Sequence, residues 1–158
     1  MKRKLAAVLL AAVTVVTASA WAQSPGADGL DMPALRAAVQ ADKKAFVASK
    51  LRLTDAEAKK FWPLYDAYQR SLDLANRQRT LALEGLIGSN KPLSDLYAQN
   101  LAKELIAADE MEIKARRTMH NRVMRALPAK EAARYLQLEA KIRAVQAYDV
   151  AATFPLIE

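Results

Sequence analysis

Beyond residue 33, apolar residues recur every three or four positions, which is the spacing of one face of an α-helix. Between about Pro33 and Ser49 the larger apolar residues are Leu35, Val39, Phe46 and Val47, with Asp31 as a candidate cap and Pro33 suited to a first turn. Thr54-Asp55-Ala56-Glu57 is a capping box: the Thr hydroxyl accepts from the third N–H on, and the Glu reaches back. A second helix follows with the stripe Phe61, Tyr65, Tyr68, Leu72, Ala75, Ala82 and Leu86, interrupted at Arg79. Pro63 lies inside it and predicts a kink near Lys59 to Trp62, because proline removes a backbone donor.

Gly85, Gly88, Ser89, Asn90 and Pro92 gather into an interior turn. Ser94 is the next candidate cap. A third helix then runs to about Leu127 on the stripe Tyr97, Leu101, Leu105, Ala108, Met111, Ala115, Met119, Val123 and Leu127. Pro128 ends it and opens a fourth helix, carried by Tyr135, Leu138, Ile142 and Val145 and closed by Pro155. Strict two-residue alternation is absent, so the expected class is all-α. Helices two and three, about 45–50 Å long at 1.5 Å per residue, form a long antiparallel hairpin. Helices one and four complete a four-helix arrangement, and a second subunit is expected to cover more of the hairpin in a cradle-like homodimer.

The first residues have a different pattern. Lys2, Arg3 and Lys4 precede an uncharged run from Leu5 to Ala20, and Ala20-Trp21-Ala22 supplies a small-x-small cleavage site. Residues 1–22 are therefore expected to be a cleaved signal peptide leading to the periplasm, with Ala18-Ser19-Ala20 as a second site. The run of 16 residues is shorter than the roughly 20 that a spanning helix needs. Residues 23–32 form a flexible lead-in, and 33–158 a single helical domain. The chain's 24 basic and 17 acidic residues give +7; three of the basic ones lie in 1–22, which leaves +4. Such a mild excess, on an exported chain, argues against nucleic acid as a partner. The absence of Cys excludes disulfides, thiolate nucleophiles and Cys-type zinc sites, and a lone His excludes multi-His centres within one chain.

One helix start recurs. Leu53-Thr54-Asp55-Ala56-Glu57-Ala58-Lys59-Lys60-Phe61 matches Leu127-Pro128-Ala129-Lys130-Glu131-Ala132-Ala133-Arg134-Tyr135, an offset of 74 residues that also aligns Leu64 with Leu138. Each copy has a Leu before the cap, a Glu in the first turn and an inward aromatic. This resembles the LTxxQ-motif family of periplasmic helical proteins, the Spy/CpxP-like chaperones and stress adaptors. The motif positions are Leu53, Thr54 and Glu57, then Leu127, Pro128 and Glu131. Glu57 and Glu131 stand in place of the family's Gln, and Pro128 in place of its second Thr. The resemblance implies a four-helix hairpin, a cradle-like dimer with a basic concave surface, and an ATP-independent chaperone or envelope-stress adaptor.

The residues themselves offer little covalent chemistry: there is no Gly-rich phosphate loop, no G-x-S-x-G and no cofactor motif, so no catalytic residue and no cofactor is expected. Lys114, Arg116, Arg117, Arg122, Arg125, Lys130 and Arg134 form a basic cluster, open to two readings: an attractive patch for acidic or unfolded proteins, or a solvated helix end. Trp62 is a candidate anchor for a bound protein, or alternatively a side chain closing helix one on helix two. The tentative binding set is Trp62, Arg116, Arg117, Arg122 and Arg125. Met111, Met119, His120 and Met124 resemble a soft-metal set, but Met111 and Met119 lie on the core stripe, so no metal site is expected. The function expected is the binding of unfolded or envelope proteins. The alternatives are a metal-responsive periplasmic sensor or scavenger and a dedicated structural partner of one envelope protein.

Overall fold

A computed structural model of the chain describes residues 31–87 and 94–154. The expected signal peptide, all of the lead-in before Asp31, the turn residues from Gly88 to Pro92, and Pro155 lie outside the described residues. Within them the protein is all-α: α1 (Met32–Lys50), α2 (Asp55–Ile87), α3 (Asp95–Ala126) and α4 (Ala129–Thr153). α2 and α3 pair along the hairpin, and α4 packs on α1 and α3. Among the described residues no helix is long and apolar enough to cross a membrane.

The helix starts follow local chemistry. Asp31 Oδ1 accepts from the Ala34 N–H at 2.7 Å, so α1 begins at Met32, inside the expected lead-in. α1 is not one helix throughout. Asp42 takes an extended conformation (φ −159°, ψ 98°), and its Oδ1 accepts from the Ala45 N–H at 2.9 Å. An N-cap side chain in mid-sequence thus stops one helical segment and starts the next. The capping box forms at α2: the Thr54 N–H donates to Glu57 Oε2 at 2.8 Å and the Glu57 N–H donates to Thr54 Oγ1 at 3.3 Å. The Thr54 N–H first, and then the Thr54 hydroxyl, which donates to the same Oε2 at 2.9 Å, hold the Glu57 carboxyl below its ordinary range. α2 continues through Pro63, and Gly85 belongs to its last turns rather than to the connecting turn. Ser94 caps α3 through the Tyr97 N–H at 3.3 Å.

The core sits where all four helices meet. All the larger stripe residues of α1 and α4 are buried, as are Phe61, Tyr65, Tyr68, Leu72 and Ala75 of α2. α3 buries Leu101, Ala108, Met119 and Val123; Met111, placed on the stripe from the sequence, is exposed. The backbones of α2 and α4 stay apart, and their aromatic rings bridge the gap. Phe61 meets Tyr135 edge-on with centroids 4.9 Å apart, and Tyr65 meets the same ring at 6.4 Å. The inward aromatics of the two repeat copies therefore pack on each other.

The junctions before the two copies are also alike, with one change of register. Leu51 ends α1 and donates its N–H to Val47 O at 3.0 Å; Leu127 ends α3 and donates to Val123 O at 3.0 Å. Both leucines and both valines are buried. The counterpart of Leu127 is thus Leu51, whereas Leu53 is only half-buried. The α1–α2 connection has two more residues than the α3–α4 connection. At the second start, Pro128 provides no side-chain cap and Glu131 turns to Arg134 at 3.4 Å.

Candidate protein-binding face

The last four turns of α3 carry the basic residues outward. Lys114, Arg116, Arg117, Arg122 and Arg125 are all exposed. None has a carboxylate partner within ion-pair distance among the described residues. Arg79 reaches Asp109 at 2.7 Å and Glu112 at 3.2 Å, and Arg143 takes the other oxygen of Glu112 at 2.9 Å. Arginines of α2 and α4 thereby pair Asp109 and Glu112 of α3, while the basic stretch that follows is unpaired.

This basic segment is a ridge with a groove on either side. Towards α4 lies a cavity of about 380 Å³ bounded by Ile113, Arg116, Arg117, His120, Leu136 and Ala140, with Tyr135, Glu139 and Arg143 of α4 also in its lining. Towards α2 lies one of about 350 Å³ bounded by Leu64, Ala67, Ser71, Met111, Lys114, Thr118 and Arg122. Tyr68 and Met119 reach both from below. Arg116 also borders a cleft of about 740 Å³ to which all four helices contribute, where the ion pairs of Arg79 and Arg143 lie beside Val39, Leu72, Ile113 and Val145. Each groove thus has apolar walls under a cationic rim, a combination suited to side chains that are themselves apolar and acidic.

The candidate residues do not form one patch. Arg116 and Arg117 share the α4-side groove, Arg122 lines the α2-side groove, and Arg125 lines neither. Trp62 is elsewhere. Its half-buried ring packs edge-on against Phe61 (5.0 Å) and Tyr65 (5.4 Å), with Lys44 Nζ of α1 at 5.2 Å from its centroid. Lys44 is fixed in turn by Asp66 at 2.6 Å. Trp62 faces α1, on a different flank of α2 from Leu64, Ala67 and Ser71, so the closing role fits its surroundings better than the anchor role. Met119 is buried while Met111, His120 and Met124 are exposed, so the four residues weighed as a soft-metal set do not share one environment. Among the described residues no group of three His, Cys, Asp or Glu side chains gathers in a metal-holding arrangement.

One buried group was not anticipated. Glu139 is only 6% exposed, and the Tyr68 hydroxyl donates to its Oε1 at 2.9 Å. Two sequence signals marked it: Glu139 lies on the α4 stripe, four residues after Tyr135 and three before Ile142, and the 74-residue offset aligns it with buried Tyr65. Burial first, then the charge of Glu139, raises the hydroxyls of Tyr65, Tyr68 and Tyr135 well above the ordinary phenol range.

Comparison with protein-family models, with curated proteins and with solved structures finds no match to this chain.

Proposed function

We propose that this chain is a periplasmic, non-enzymatic protein-binding module that holds unfolded or partner envelope proteins without ATP, in the manner of the LTxxQ-motif (Spy/CpxP-like) proteins it resembles. The observation that carries the reading is the α3 ridge: four unpaired cations, Lys114, Arg116, Arg117 and Arg122, on the rims of two grooves with largely apolar walls, and Arg125 exposed beyond them. Unpaired surface charge steers encounter over long range, and apolar walls retain what arrives. The export signature and the repeated helix start support the same reading from the sequence. A homodimer is the expected assembly, with the exposed side chains Leu74, Leu81 and Ile106 of the hairpin as its candidate contact.

The test is capture of a denatured, unrelated protein. The purified chain without its first 22 residues is expected to slow aggregation without ATP, and faster at low salt, since exposed charges are screened within about 10 Å at 0.1 M. Charge reversal at Arg116, Arg117, Arg122 and Arg125 is expected to slow capture about tenfold or more at low salt while helicity is kept. Unchanged aggregation at several-fold excess, at low and physiological salt alike, refutes the chaperone reading and favours a single dedicated partner.

A further inference from the structure

Glu139 lies at the floor of the α4-side groove, on α4 rather than on the α3 ridge, and no cation closes on its carboxylate. Oε1 accepts one hydrogen bond, from Tyr68. Oε2 is sealed from solvent without a well-formed hydrogen bond, and so is the Tyr135 hydroxyl, although Tyr135 feels Glu139 through its charge and a weak hydrogen bond. The groups that face it come from every helix. α1 contributes Lys43, whose Nζ reaches Gln146 Oε1 at 3.5 Å rather than closing an ion pair with Glu139. α2 contributes the phenols Tyr65 and Tyr68. α3 contributes Glu112, a like charge already shared between Arg79 and Arg143, and also Arg116, Arg117 and His120, which line the same groove as Glu139. α4 contributes Tyr135 and Arg143, and the guanidinium of Arg143 is directed at Glu112.

Lys43 and Arg143 thus bond other groups, Arg116 and Arg117 line the same groove without pairing, and none of these cations closes an ion pair with Glu139. Burial pushes its carboxyl above the ordinary range, against the opposing pull of Lys43, the Tyr68 hydroxyl and Arg143. Lys43 tells the same story from the other side: burial lowers it despite the attraction of Glu139. In both groups desolvation outweighs pairing, as expected for charges taken out of water without direct contact.

We infer that Glu139 is a proton-operated fastener of the four-helix base: taking up a proton secures α4 against α1 and α2, and losing it loosens that attachment. The neutral acid has no charge to desolvate. Its Oε1 still accepts from Tyr68, and Tyr135, as acceptor instead of donor, can still meet the protonated carboxyl, so protonation removes the charge without forfeiting a partner. The sign follows from linkage. The stabilisation is complete below the ordinary carboxylate pKa and is lost as pH rises through the raised one, so between the two the folding equilibrium changes tenfold per pH unit. Glu139 lines the α4-side groove, but the inference concerns the stability of the chain alone and does not require that the groove binds a protein.

The test compares urea unfolding of the chain with that of Glu139→Gln from pH 8 to pH 4.5 at constant ionic strength. Glutamine keeps the shape and the acceptor for Tyr68 but cannot ionise. The ratio of folding constants, variant over parent, is expected to be constant near pH 8 and to fall as the pH drops through the window. A ratio that stays flat across the range overturns the inference. Carboxyl-carbon resonances of the parent chain decide the matter even if the variant fails to fold. One glutamate, assigned to Glu139, is expected to titrate above the others and to move further up in Lys43→Met. Titration of Glu139 within the ordinary range overturns it.

Discussion

The base and the far end of the hairpin use the same helices in opposite ways. At the base, α2 is covered on several sides: Phe61 and Tyr65 meet Tyr135 of α4, Tyr68 reaches Glu139, and Trp62 faces α1. Towards the far end, α2 and α3 have mainly each other, and Leu74 is 59% exposed, Leu81 71% and Leu96 68%. Apolar spacing at three and four continues through both regions. The contrast teaches that periodicity marks which residues can be buried, while the number of neighbouring helices decides which of them are.

The comparison breaks most visibly on large-to-small substitutions. Phe61→Ala or Tyr135→Ala removes a fully buried ring from the α2–α4 bridge and is expected to cost about 3–5 kcal/mol in urea unfolding. Leu81→Ala removes a side chain that is mostly in water already and is expected to change stability of the monomer by less than about 0.5 kcal/mol. Protein concentration sharpens the contrast. If a second copy covers the far end, the Leu81→Ala midpoint falls below the parent's only at concentrations where the parent dimerises. Loss of about 2 kcal/mol at every concentration would mean that the far end is covered within one chain.

The two helix starts offer the next comparison, at smaller scale. Thr54→Ala removes a hydrogen-bonded cap and is expected to cost about 1 kcal/mol. Pro128→Ser supplies the missing hydroxyl at a backbone already extended (φ −55°, ψ 145°), but it also returns freedom to the unfolded chain. The two effects are of similar size, so a net change within about 0.5 kcal/mol is expected from thermal or urea unfolding. A loss above about 1 kcal/mol at Pro128 would show that the ring, and not only its rigidity, supports the α3–α4 junction.

These contrasts also show how much was legible in the sequence. The all-α class, the order of four helices, the caps at Asp31, Thr54 and Ser94, and the buried stripes of α1 and α4 follow from local chemistry, and local chemistry is written in sequence. The break at Asp42 was local too, but an Ala-rich run around it masked a cap in mid-helix. The 74-residue register holds at the two helix starts and the inward aromatics, but the buried leucine before α2 is Leu51 rather than Leu53, and two leucines so alike are distinguished only by burial. The flank on which Trp62 packs, the grooves beside α3 and the engagement of Glu112 by two arginines depend on which helices become neighbours. None of the motif spacings carries that information. Glu139 lies between these cases: its place on an apolar stripe was visible, but its partners come from all four helices.

The smallest effect concerns Gly85 and tests how tightly the far end is closed. Gly85 lies inside α2, where alanine favours the helix by about 1 kcal/mol. A methyl group there would collide with the Tyr97 hydroxyl from α3, so the glycine makes room for a close approach across the hairpin. Tyr97 is itself exposed, and the colliding atom is the tip of its side chain, which can swing towards solvent. The propensity gain and the displaced contact therefore nearly cancel, and Gly85→Ala alone is expected to shift stability by no more than a few tenths of a kcal/mol. A double-mutant cycle separates the two terms. In a Tyr97→Ala background nothing remains to displace, and Gly85→Ala is expected to stabilise by the full helix preference of about 1 kcal/mol. Equal effects in both backgrounds would mean that Tyr97 does not hold the two helices together at this point.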